Sequence, residues 1–455
     1  MAQHAVDPLD ALRAVEAELD RRWPESRIEP SLTRIAALVD LLGSPQCSYP
    51  VLHIAGTNGK TSVARMLDAL LTRIALRVGR YTSPHLQLAT ERISLDGAPI
   101  SPERYVEVYQ DVAAQVALVD AGSEVPMSKF EVLTGMAFAA FADAPVEVAV
   151  VEVGLGGSWD ATNVADATVA AITPIAVDHV NYLGSDLAGI AREKAGIIKP
   201  GSIAVLAEQP PDVARVLAAR SVEVDATVAR EGMEFGVLHR DVAVGGQRLR
   251  LQGLGGVYDE IFLPLHGEHQ ARNAVLALAT AEAFFGAGPS RSLDIDVVRE
   301  AFAIVRAPGR LERVRSAPSV FLDSAHNPHG AQALAAALRD EFAFRRLVAV
   351  VGVLRDKDAR GILTELEAVV DEVVVTASGS PRAMGVDELA AVARDVVGEE
   401  RLHVEPRLPD AIEAAVAMAE EVSPGADRIS GAGVVITGSV ATAGAARTLF
   451  AREPQ

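Results

Sequence analysis

Short β-branched runs alternate with Ala/Leu-rich helical stretches along almost the whole chain. Such alternation constrains the fold strongly, because strands joined by helices build parallel sheets wound with helices on both faces. The pattern predicts strands over 51–55, 77–81, 147–153, 167–173 and 202–207, with helices over 31–42, 61–76, 102–119 and 129–142. Between Val222 and Leu265 the texture changes. Val224, Val228, Phe235 and Val237, then Val242, Val244, Leu249 and Leu251, are spaced like strands between glycine-containing turns and predict a small antiparallel region. An Ala-rich helix over 270–285 follows. Pro308 and Gly309 then give 305–310 the character of a linker, since both residues interrupt helix and strand.

Beyond the linker the alternation restarts, with strands at 320–322, 347–353, 372–376, 402–404 and 434–437 and helices at 328–339, 359–369, 386–397, 408–422 and 442–451. The expected architecture is therefore α/β in two domains. Residues 1–306 form a phosphate-loop domain, mostly parallel with a small antiparallel part, and residues 307–455 form a smaller Rossmann-like domain. A cleft between two such domains is a usual place for a ligand.

Charge and cysteine content narrow the function. Lys+Arg 42 against Asp+Glu 61 gives 42 − 61 = −19, so no net counterion-release drive favours coating of nucleic acid. Anionic ligands must be held by local donors against the overall field. The single cysteine, Cys47, excludes an intrachain disulfide and any multi-cysteine metal site. Met1–Asp7 carries no basic stretch leading into an apolar run, and the apolar stretches 132–142 and 148–151 are too short to span a bilayer. The expectation is a soluble, cytoplasmic, monomeric protein acting on small molecules, without nucleic acid or membrane partners.

The sharpest local signal is Val51-Leu52-His53-Ile54-Ala55-Gly56-Thr57-Asn58-Gly59-Lys60-Thr61. A strand enters a glycine turn and Lys-Thr opens a helix, so backbone amides and the helix N-terminus converge where phosphate oxygens can sit. Lys60 is placed to reach the β/γ-phosphates and Thr61 to adjoin Mg²⁺ or phosphate. Ile54 stands where the longer form of the motif has glycine, so this is a shortened variant.

Glu152 ends an apolar strand before Gly154-Leu155-Gly156-Gly157 and either faces a metal beside the phosphate loop or is a surface acid on an edge strand. Asp178-His179 is a second candidate, although a lone histidine is more often structural. Ala191–Lys199 reads from its residues as an exposed helical charge cluster. In Asp323-Ser324-Ala325-His326-Asn327-Pro328, Ser324 or Asn327 is equally well a helix cap.

These segments, together with Thr82-Ser83-Pro84-His85-Leu86, Asp160-Ala161-Thr162-Asn163, Arg192–Gly196, His269-Gln270, Asn273-Ala274 and Pro308-Gly309-Arg310, occur in the order found in folylpolyglutamate synthases. The chain resembles this folate branch of the Mur-ligase superfamily from about Ile28 to Ser439. Bacterial members often act as dihydrofolate synthases as well.

The resemblance implies an ATP-dependent amide ligase: ATP phosphorylates a substrate carboxylate and the amine of L-glutamate displaces phosphate. It implies ATP contacts from Thr57, Asn58, Gly59, Lys60 and Thr61, and from Asn273, Arg310 and Asp323. Two Mg²⁺ sites follow, with Ser83 and Glu152 at one and His179 at the other, and Lys194 as a carbamylated lysine. For the pterin it implies Glu29, Pro30, Ser31, Ser128, Lys129, Phe130, Glu131, Trp159, Asp160 and Ala161. Phe130 either stacks on the pterin or fills the core. His326 and Ser439 are implied at the incoming glutamate. Thr61, Trp159 and Ser324 stand where the family commonly has Gly, Leu and Gly.

A Mur ligase for UDP-muramyl peptides is the alternative enzyme, but fewer than about 60 residues precede the phosphate loop, too few for the further UDP-binding domain of that branch. A non-catalytic nucleotide-binding module would not need Glu152 or His179.

Overall fold

The computed structural model describes residues 7–23, 29–288, 291–421 and 431–455. The amino-terminal segment 1–6, the start of the resemblance at Ile28 and the expected helix end at Val422 lie outside the described residues.

The first domain carries an eight-stranded sheet made from β1 (Val51–Ala55), β2 (Val78–Tyr81), β3 (Ile93–Leu95), β4 (Ala98–Pro99), β5 (Val148–Glu152), β6 (Ala167–Ile172), β7 (Ile203–Leu206) and β8 (Thr227–Arg230). The order is β4-β3-β2-β5-β1-β6-β7-β8; all neighbours are parallel except the pairs involving β3 and β4. The central strands are buried on both faces, so their residues alternate between two cores. Leu52, Ile54, Val148 and Val150 point to the core under helices Lys60–Arg73 and Glu268–Phe284. Val51, Ala149 and Val151 point to the opposite core, under Pro102–Ala121 and Lys129–Asp143. From β1 the chain winds one way to β2, while β6 lies on the other side. The carboxyl end of β1 is thus a topological switch point, where such sheets bind ligands.

The antiparallel region is narrower than the sequence suggests. Val222 belongs to helix Pro211–Glu223, Val224 caps it, and β8 around Val228 extends the main sheet in parallel. The three-stranded antiparallel sheet contains only β9 (Gly236–Ala243), β10 (Gly246–Gln252) and β11 (Val257–Leu263). Valine spacing identifies a strand but not its partner, and Val222 and Val224 close a helix that Pro210-Pro211 opens further upstream.

The second domain holds six strands, β12 (Glu312–Ser316), β13 (Ser319–Leu322), β14 (Arg346–Val351), β15 (Glu372–Ala377), β16 (Leu402–Arg407) and β17 (Ala432–Thr437), in the order β12-β13-β17-β14-β15-β16. Only β12 is antiparallel, and its polar sequence hid it from the pattern. Among the described residues no helix is long and apolar enough to cross a membrane.

Candidate active site

The carboxyl ends of both sheets face one cavity of about 1080 Å³. β1 delivers the phosphate loop, and Gly59 adopts φ +92° before helix Lys60–Arg73. A Cβ there would lie 2.5 Å from Asn273 Oδ1, so backbone shape and space both demand glycine. Thr57 is pinned through its hydroxyl, which donates to Ala176 O (2.9 Å) and accepts from Ala176 N (3.0 Å). Lys60 folds back on the loop and donates to Gly56 O (3.2 Å) and Thr57 O (3.1 Å). Burial pulls its ammonium below the usual lysine range, partly offset by Glu152 and Asp178.

Glu152 is 2% exposed on β5, between β2 and β1, which rules out the edge-strand reading. Both its oxygens accept from Thr61 Oγ1 at 3.0 Å, and the Ser83 amide approaches at 3.4 Å. Burial raises this carboxyl; Lys60 and the Thr61 hydroxyl oppose that rise.

On the same side of the cleft, after β6, stands Asp178, which faces the second domain. Its carboxylate receives Lys357 Nζ at 2.5 Å and Asn327 Nδ2 at 2.9 Å, with His326 Nε2 at 3.4 Å and His179 Nε2 at 3.9 Å. Burial alone would raise it, but the His326 hydrogen bond and the charges of His179, His326 and Lys357 hold it far below the carboxylate range. His179 has a left-handed backbone (φ 52°), and burial followed by the Lys357 charge lowers its imidazole to about 3. Asn58 adds a second bridge between the domains, donating to Asn327 Oδ1 (3.1 Å) and approaching His329 Nδ1 at 2.8 Å.

Lys194 corrects the reading of 191–199 as an exposed cluster. Arg192 is exposed, but Lys194 on helix Leu187–Ala195 is 5% exposed and lines the cavity. Desolvation first and Lys60 second lower its amine to about 7, so a large neutral, nucleophilic fraction exists near neutral pH.

From the linker and second domain come Arg310, Asp323 and His326. Asp323, after β13, accepts from Leu311 N and Ala325 N at 2.8 Å each, and burial raises its carboxyl. Asn273, on helix Glu268–Phe284, faces Gly59 and donates to Gln270 Oε1 at 3.1 Å.

A second cavity of about 610 Å³ adjoins the first, with Ser83, Pro84, Gly154, Leu155 and His179 lining both. Glu29, Ser31, Ser128, Phe130, Glu131, Trp159, Asp160 and Ala161 line it; Pro30 does not. Glu131 completes a capping box with Ser128 and, with Glu29, holds Arg34 at 3.1 and 2.7 Å. Gly154 gives Phe130 its place, for a Cβ would sit 2.4 Å from the ring. Phe130 is only partly buried against the neighbouring core, so one ring both packs inward and lines the cavity.

Besides Pro30, two expected contacts lie elsewhere. Lys129 is buried and bound by Glu16 and Asp20 at 2.7 Å each, away from the cavity wall. Ser439 is fully buried, and its hydroxyl caps helix Val440–Leu449 by accepting from Thr442 N at 3.0 Å. The last strand ends there, and the helix that follows takes the side chain.

Among the described residues no group of three or more His, Cys, Asp or Glu is arranged to hold a metal unaided. Ser83, Glu152 and His179 nevertheless line the cavity beside the phosphate loop, and the buried carboxylate of Glu152 has Lys60 as its main compensating charge. Few protein ligands beside a phosphate site is the donor set Mg²⁺ uses, the rest being phosphate and water oxygens. Sequence reasoning passed over Lys357 and Asn327 as cleft residues; the rarity of lysine, at 60, 129, 194, 199 and 357 only, was the available signal for the first.

Two α/β domains that line one cavity over a phosphate loop fit the Mur-type ATP-dependent ligases, the class that comparison with known proteins identifies. The chain matches the family described as Mur ligase middle domain over residues 54–281 and that described as Mur ligase, glutamate ligase domain over 309–440. A dihydrofolate synthase/folylpolyglutamate synthase of Mycobacterium tuberculosis is 61% identical, covering 99% of this chain and 96% of that one. The folylpolyglutamate synthase of Lacticaseibacillus casei is 34% identical, over 91% of this chain and 93% of its own. Crystal structures of the M. tuberculosis folylpolyglutamate synthase complexed with ADP and AMPPCP match with a TM-score of 0.94 over 99% of this chain and 100% of that one, at 61% identity. E. coli FolC in complex with DHPP and ADP matches with a TM-score of 0.82 at 29% identity, covering 99% of each chain. The chain belongs to the dihydrofolate synthase/folylpolyglutamate synthase family.

Proposed function

We propose that this protein couples ATP cleavage to the addition of L-glutamate to dihydropteroate and to reduced folates. The observation that carries the reading is the adjacency of two cavities that share five lining residues: one beneath the phosphate loop and the other lined by Phe130, Trp159 and carboxylates. A flat, hydrogen-bonding pterin suits the second, its acid tail directed towards the first.

A carboxylate is a poor electrophile, and phosphorylation to a mixed anhydride supplies a leaving group. Loop amides and the helix N-terminus hold the triphosphate, and Lys60 turns from the Gly56 and Thr57 carbonyls to the phosphates. Asn273 from the far end of the first domain, Arg310 from the linker and Asp323 from the second domain close on the nucleoside, so chemistry waits for domain closure. Ser83 and Glu152 would hold one Mg²⁺ and His179 a second; bound there, the ions neutralise charge developing on the transferred phosphoryl group. Lys194 is proposed to be carbamylated, which turns a cation into an anionic ligand, and its depressed amine supports this because only the neutral form adds CO₂. His326 is proposed to position the incoming glutamate.

The proposed division is an ATP-binding domain over 1–306 and a glutamate-ligase domain over 307–455, with Arg310 and Asp323 of the second reaching back to the nucleotide. The enzyme is proposed to act as a monomer in the cytoplasm. The test is phosphate release from ATP with L-glutamate and dihydropteroate, tetrahydrofolate or a UDP-muramyl peptide in turn. Turnover with a pterin is expected; turnover with the muramyl compound alone overturns the reading in favour of a cell-wall ligase.

A further inference from the structure

The second cavity has one wall that the pterin leaves unexplained. It comes from the second domain, where the loop after β14 supplies Arg355 and Asp356, and the loop after β15 supplies Pro381 and Arg382. The two loops are fastened together: Arg355 N donates to Arg382 O at 2.9 Å, Met384 N donates to Val353 O at 2.9 Å, and Leu354 bridges to Ala383. Two residues further on, Lys357 ties the same loop to Asp178 of the first domain. The wall therefore has a fixed position relative to the phosphate loop when the domains meet.

Most charged side chains lining this cavity are already satisfied. Arg34 is held by Glu29 and Glu131. Asp160 accepts from the amides of Leu155 (2.8 Å) and Thr162 (3.0 Å). Arg382 grips both oxygens of Asp356, at 2.8 and 2.9 Å. Arg355 differs. It is exposed, and its guanidinium makes a single long contact, 3.4 Å to Ala383 O; among the described residues it has no carboxylate partner. In a chain of net charge −19, an arginine at a cavity rim whose adjacent carboxylate, Asp356, is already taken by Arg382 is positioned to receive an anion.

We propose that Arg355 binds the α-carboxylate of a glutamyl tail already present on the folate, and so selects folates over dihydropteroate. The inference rests on the folate reading above. A pteroate has one carboxylate, the one to be activated, and it must point at the phosphate loop. A folate carries a second on its terminal glutamyl residue, which takes no part in the reaction. That carboxylate is free to take a partner on the wall of the second cavity, and the Arg355 guanidinium fork there matches it.

The test is calorimetric titration of full-length wild type, R355A and R355K, each saturated with a non-hydrolysable ATP analogue, with dihydropteroate and separately with tetrahydrofolate. R355A should bind tetrahydrofolate about tenfold more weakly, the order of one charge-assisted hydrogen bond in partial contact with water. R355K should fall between it and wild type, and dihydropteroate should bind all three alike. The KM for tetrahydrofolate should rise in parallel while kcat holds. Unchanged tetrahydrofolate affinity in R355A, or an equal loss for both ligands, overturns the role of Arg355 and leaves the folate reading standing. Wild type that binds neither pterin overturns the folate reading itself.

Discussion

Lys194 permits a test of the site that needs no substrate. Its amine moves from 10.5 to about 7 on folding because the side chain is buried beside Lys60. At 1.36 kcal/mol per pH unit, that change costs the folded state roughly 5 kcal/mol when the lysine is fully protonated. The sign follows from proton binding. Between about pH 7 and 10.5 the unfolded chain holds a proton that the folded chain has released, so stability rises with pH across that window. Below pH 7 both states are protonated and the full cost is felt. Replacing Lys194 by Met keeps length and packing and removes the charge, so in CO₂-free buffer at pH 6.5 it should stabilise the first domain by about 2–5 kcal/mol. The gain should shrink towards zero by pH 10.5. Urea unfolding followed by tryptophan fluorescence reads this directly, because Trp23 and Trp159 both lie in the first domain and Trp159 N contacts Glu193 Oε1 at 3.3 Å. Bicarbonate at pH 7.5 should stabilise wild type and leave the K194M variant unaffected. A K194M variant no more stable than wild type at pH 6.5, or a difference independent of pH, refutes the burial and the depressed amine together.

Three further outcomes follow from the geometry. Lys60→Ala should lower the rate of phosphoryl transfer by about a hundredfold or more with an unchanged circular dichroism spectrum, since one preorganised donor to a developing charge is worth that much; undiminished turnover removes Lys60 from the phosphates. Gly154→Ala should raise the KM for pterin substrates and leave that for ATP alone, because the added methyl enters the Phe130 ring; equal effects on both would mean a general loss of packing. Ser439→Ala should cost about 1 kcal/mol of stability through the lost cap and leave the KM for glutamate unchanged. A rise in that KM would instead return Ser439 to the binding site.

The sheets were legible because their strands are apolar at consecutive positions, as β1 and β5 show, and because Gly-Lys-Thr marks a strand-to-helix bend with few other uses. What local pattern could not supply is who pairs with whom. β8 joins the main sheet and β9 does not, although both carry valines in similar turns. Lys194 was recoverable: Ile190, Ala191, Lys194 and Ala195 are the buried residues of their helix and share one face, so a lysine on that stripe announces burial. The neighbouring Arg192 concealed it by making the segment look uniformly charged. Asp178 was named with His179, but its hub depends on Asn327, His326 and Lys357, between 148 and 179 residues away in sequence, which no spacing rule reaches. Lys129 was misplaced for the opposite reason. It adjoins Phe130 in sequence, yet successive helix positions point about 100° apart, and Glu16 and Asp20 take its charge on the far side.

The shared wall of Ser83, Pro84, Gly154, Leu155 and His179 has a bearing on inhibition. Because the two cavities meet at these five residues, a single compound bearing a pteridine at one end and an adenosine group at the other is expected to reach both, if each cavity takes the ligand proposed for it. Tethering turns the second attachment into an intramolecular event, so such a molecule gains through effective concentration what neither fragment achieves alone. The linker length that binds most tightly would then serve as a ruler for the distance between the two reacting ends in solution.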